Sequence, residues 1–140
     1  MRRLLLALLI PISCALAGTG TVKIHVMNGK SGKPVTNAHV LVFQGESIEE
    51  VKQLKHSFDL RTDADGIAML PGDAMPWLGV LVDWHHSCQS ELDSGIYRLA
   101  TIQEAGLATP NTCSSIVKTA TPGELYLFVR AETLLEKMRH

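Results

Sequence analysis

The chain has 140 residues, with 13 Lys and Arg against 14 Asp and Glu, and 46% of it is hydrophobic. Its cationic side chains are scattered among acids rather than gathered into a patch, which excludes a nucleic-acid partner held through phosphate contacts. No apolar run approaches the roughly 20 residues that a helix needs to cross a bilayer, so a transmembrane segment is excluded too.

The first element is an export signal. Arg2 and Arg3 precede an apolar run over residues 4–10, and Ala15-Leu16-Ala17 gives the small-x-small pattern that a signal peptidase accepts. The expected organisation is a signal peptide at 1–17, cut before Gly18, and one domain at 18–140. Loss of Arg2 and Arg3 moves the net charge from −1 to about −3. The expected location is outside the cytoplasm, periplasmic or secreted. Cys14 raises lipidation as a rival, although Pro11-Ile12-Ser13 before it fits a lipoprotein signal poorly. Cys88 and Cys113 then remain in an oxidising compartment, where a disulfide is expected; two free thiols serving a metal are the alternative.

Val22, Ile24 and Val26 alternate with Lys23 and His25, which predicts a strand with one wet face. Asn28-Gly29 and Ser31-Gly32-Lys33-Pro34 supply turn residues, so the chain reverses into a second strand at residues 39–43. The almost continuous apolar character of that strand predicts a central position. Residues 46–55 carry Ile48, Val51 and Leu54 at helical spacing, yet the neighbourhood to residue 60 also fits a strand, and both readings stay open for 46–57. Thr62-Asp63-Ala64-Asp65-Gly66 is a tight turn before a strand at 67–70. Further strands are expected at 78–84, more weakly at 97–102, and at 123–130, with a short helix near 131–139. There Leu134, Leu135 and Met138 share one side and are expected to cap the domain. Short strands punctuated by Gly, Pro and Asp argue for an all-β fold over βαβ units.

Residues 18–70 resemble the carboxypeptidase regulatory-like domains, through the strand at 22–26, the segment Ser31-Gly32-Lys33-Pro34-Val35-Thr36-Asn37-Ala38-His39-Val40 and the turn and strand at 62–70. The resemblance implies a single antiparallel Greek-key β-sandwich of prealbumin-like (transthyretin-like, Ig-like) type and an accessory or binding role. Residues 111–113 and 122–130 are also similar to small bacterial secreted proteins of unassigned role. Two enzymes of related fold are disfavoured. Hydroxyisourate hydrolases end in Tyr-Arg-Gly-Ser, whereas this chain ends Leu135-Glu136-Lys137-Met138-Arg139-His140. Intradiol dioxygenases use two Tyr and a His-x-His pair, whereas here Tyr97 and Tyr126 accompany adjacent His85 and His86.

The densest run of ligand-type side chains is Asp83-Trp84-His85-His86-Ser87-Cys88, where a buried strand leaves its sheet. Asp83, His85 and His86 are the candidate Zn or Cu ligands, and Trp84, His85 and His86 the candidate binding residues. Adjacent histidines on a strand face opposite ways, so a metal would also need His25, His39 or His56. Trp84 is expected in the core, with a stacking platform as the alternative, and Trp77 lies nearer a loop. Asp63 and Asp65 lack the later ligands of a calcium loop, so turn bonds are expected instead. No Gly-x-Ser-x-Gly accompanies Ser87, Ser90 or Ser94, and Glu49-Glu50 reads as a solvated face. The expected function is a non-enzymatic exported module without a cofactor, engaging an envelope protein or a surface glycan. The alternative is a periplasmic metal-binding protein.

Overall fold

The computed structural model describes residues 20–89 and 95–139. The signal segment, Cys14, Ser90 and Ser94 lie outside them. The described chain is mostly β, with nine strands in two sheets and three short helices. Sheet A has the order β4 (Ile67–Leu70), β1 (Val22–Asn28), β9 (Glu124–Ala131), β6 (His85–Ser87), and β8 (Leu107–Ala108) also pairs with β9. Sheet B has the order β3 (His56–Arg61), β2 (His39–Gly45), β5 (Trp77–Val82), β7 (Ile96–Arg98).

Alternation along β1 and β9 sends Val22, Ile24, Val26, Leu125, Leu127 and Val129 to one side of sheet A. There they meet Val40, Val42, Leu78 and Val82 of sheet B in one shared core. The second strand is central in its sheet, as its apolar run implied. Every pair in sheet B is antiparallel, but β1 runs parallel to β9 and so does β8. An all-antiparallel arrangement is therefore corrected for sheet A. The first and last strands are joined through nearly the whole chain, and a connection that long permits the parallel direction that a tight hairpin forbids.

Both readings of residues 46–57 hold in part. Ser47 caps a short helix, α1 (Ile48–Lys52), by accepting from the Glu50 amide, and Leu54 then turns the chain at φ +56° into β3. The strand expected at 97–102 is corrected: it ends at Arg98 and continues as α2 (Leu99–Glu104). Leu99 and Ile102 are both buried in the shared core, and their spacing of three places them on one helical side. The turn at 62–66 behaves as read, since the Asp63 carboxylate accepts from the amides of Asp65 and Ile67.

A second, smaller layer covers the other face of sheet A. Met27 and Phe128 point away from the shared core and are buried by Cys88, Cys113 and Ile116. Cys88 and Cys113 are disulfide-bonded, with Cα atoms 5.5 Å apart. Asn111 seats the covering loop by donating to the carbonyls of Gly29 and Ile116, each at 2.9 Å, and accepting from the Cys113 amide. Gly29 admits this layer, because a Cβ there would stand 2.4 Å from the Cys88 Sγ.

Candidate functional site

The residues from Asp83 to Cys88 link the two sheets. Asp83 and Trp84 form the crossing between β5 and β6. Trp84 adopts φ +62°, an unusual conformation for a bulky residue, and its carbonyl accepts from the Glu132 amide at 3.0 Å. Its side chain is 67% exposed, so the expected core position is corrected. The positive φ breaks the strand alternation that would have turned the ring inward.

The candidate ligands do not converge. The Asp83 carboxylate is hydrogen-bonded to Nδ1 of His39, whose Nε2 meets the Asp59 carboxylate. These two acids, Asp83 foremost, raise the His39 pKa above its ordinary value. His85 Nδ1 donates to the Asp83 carbonyl at 2.7 Å. His86 lies on the opposite face of β6, with Nε2 at 3.5 Å from both Glu132 and Glu136. Among the described residues, no set of three His, Cys, Asp or Glu side chains is arranged to hold a metal ion. Glu136 in turn receives a two-pronged bond from Arg130 at 2.8 and 3.0 Å, and that guanidinium holds its carboxyl well below the usual range.

What the fold does bring together around His85 is a cleft of about 450 Å³. Its floor is Val80 and Val82 of β5 with Leu127 and Val129 of β9. Pairing of β5 with β7 covers Trp77 to Gly79, and the cleft opens beyond it. Phe43, Val51, Leu54 and Leu81 extend the apolar wall around β5 to the outer side of sheet B, where α1 is seated. Gly79 permits that seat, since a Cβ there would stand 3.0 Å from Val51 Cγ1. The polar groups are few and sit at the margin: Lys52, His85, Ser87, Gln89 and the Tyr97 hydroxyl, which accepts from Gln89 at 2.6 Å.

Of the residues singled out in the sequence, His85 and Ser87 line this cleft, whereas Trp84, His86 and Asp83 do not. The ring of Trp77 is half-buried, with the Arg98 guanidinium 5.3 Å from its centre.

Sequence reading missed a polar group on the outer face of sheet A. His25 stacks on Tyr126 with ring centres 4.2 Å apart, and its Nε2 is 2.7 Å from Glu124. That approach is poorly aligned, and the buried nitrogen makes no hydrogen bond. The Thr121 hydroxyl donates to Glu124 and lowers its pKa, while burial raises that of Tyr126. The wet-face position of His25 was legible, but its partners come from a strand about a hundred residues away.

No family model, curated protein or solved structure matches the chain.

Proposed function

We propose that the protein is an exported, non-enzymatic binding module of the cell envelope, a prealbumin-like Greek-key sandwich whose cleft takes an apolar group of an envelope protein. The carrying observation is the cleft beside β5: apolar walls from both sheets and α1, with a thin polar margin that orients a ligand. The two sheets around a shared core support the fold reading, as do the turns that carry the carboxypeptidase regulatory-like resemblance. A surface glycan is favoured less, because Trp84 lies outside the cleft and a cation sits over Trp77. Metal binding through Asp83, His85 and His86 is favoured less as well, because the three side chains serve different partners.

The test is titration of the folded protein with the fluorescent apolar probe 1-anilinonaphthalene-8-sulfonate. One saturable site is expected, weakened roughly ten-fold by Ser87→Trp, which fills the cleft, and by Leu81→Arg, which charges its rim. Binding that ignores both substitutions overturns the reading. Elemental analysis with a thiol count addresses the alternative, and stoichiometric Zn or Cu would put metal binding first.

A further inference from the structure

The end of the molecule where β5 crosses to β6 and β9 runs out displays apolar side chains that the fold holds outward. Leu134, Leu135 and Met138 are 75%, 72% and 74% exposed, so the capping role expected of them is corrected. Trp84 belongs to the same end, since its carbonyl is bonded to the Glu132 amide.

These groups are not on a loose tail. In α3 (Leu134–Lys137), Thr133 accepts from the Glu136 amide and Glu136 reaches back to the Thr133 amide, closing a capping box. Arg130 grips the same Glu136 with two nitrogens and ties the short helix to β9.

Charge divides the surface in the same way. At about 100° per residue, Leu134, Leu135 and Met138 share one side of the turn, Lys137 and Arg139 flank it left and right, and Glu136 points opposite. Of the nearby acids, Glu136 is bonded to Arg130, the largely buried Glu132 faces His86, and Asp83 beside Trp84 is bonded to His39. Among the described residues Lys137 and Arg139 have no acidic partner. This end thus presents aliphatic and thioether groups flanked by two cations without an acidic partner, with the Trp84 indole beside an acid that His39 already engages.

We propose that this end is a docking surface for an anionic lipid bilayer: Trp84, Leu134, Leu135 and Met138 enter the headgroup region, and Lys137 and Arg139 meet lipid phosphates. Indole and aliphatic groups with flanking cations suit that interface, where the apolar body is buried and the charge meets the lipid. A second copy fits the surface less well, because it would bring the same cations together. The proposal does not rest on the cleft.

The test uses the exported protein as isolated, its N-terminus read by mass spectrometry, with vesicles of phosphatidylglycerol or of phosphatidylcholine. In a Trp77→Phe background Trp84 is the sole tryptophan. Its emission is expected to shift to the blue with phosphatidylglycerol and far less with phosphatidylcholine. Partitioning is expected to fall roughly ten-fold in Leu134→Ser/Leu135→Ser and in Lys137→Gln/Arg139→Gln. Each variant alters exposed groups, and an unchanged unfolding midpoint verifies its fold. Sedimentation without a Trp84 shift would place the anchor at the N-terminus and overturn the proposal. So would concentration-dependent dimers abolished by Leu135→Ser without any vesicle binding.

Discussion

The two faces of sheet A are buried in different ways. Toward sheet B, alternating Val, Ile and Leu side chains from at least four strands interlock, and the layer is closed by non-directional burial. On the outer face Met27 and Phe128 are covered by a loop that has almost no regular structure, and that cover is held by a disulfide and the Asn111 amide. The inner layer follows from periodicity, whereas the outer one depends on a few directional bonds, so the two should fail separately.

Removing the disulfide is the strongest way to break that contrast. Cys88→Ser/Cys113→Ser frees a sequence separation of 25 residues and is expected to cost roughly 3–4 kcal/mol in denaturant unfolding. Hydrogen exchange should show amides 111–116 opening at a lower free energy than those of β1 and β9. A single shared opening would mean that the layers are one unit. Asn111→Ala comes next, at about 1–3 kcal/mol, because it strands the Ile116 carbonyl and the Cys113 amide, while the Ser114 hydroxyl still donates to the Gly29 carbonyl; loss of protection confined to the loop is the expected pattern.

Ile24→Val probes the inner layer, with an expected loss of about 0.5–1.5 kcal/mol. A thermal scan should show it lowering both layers together, since the loop rests on the sheet. The smallest effect concerns pH at one end of sheet B, where β2 begins. His39 has its pKa raised by Asp83 and then Asp59, so its contribution is complete below the ordinary value of 6.5 and is lost as pH rises through the higher folded value. His39→Gln should flatten the dependence of the unfolding midpoint on pH above neutrality, and an identical dependence in both proteins would refute the assignment.

Legibility in the sequence follows the same divide. β1 could be read because its side chains alternate with a period of two, β2, β4 and β9 because they are apolar runs next to turn residues, and the Asp63 turn because its bonds are local. Leu99 and Ile102 fall in a strand by the weak alternation of residues 97–102, whereas the structure turns them into a helix that docks both into the shared core. Trp84 was misplaced because one positive φ reverses a side chain without any mark in composition. The cleft was legible only at His85 and Ser87, since its walls come from elements far apart along the chain. His39, read as one of three distant ligand candidates, has two carboxylate partners 20 and 44 residues away.

The parallel pairing of β1 with β9 also sets an order on assembly. β9 is the middle of sheet A, flanked by β1 on one side and by β6 and β8 on the other. Of the described strands, synthesis delivers β1 (Val22–Asn28) first and β9 (Glu124–Ala131) last. A chain emerging in that direction lacks the centre of sheet A until β9 is available, so completing that sheet requires the closure of a loop of about a hundred residues, a non-local contact that costs chain entropy before it is repaid.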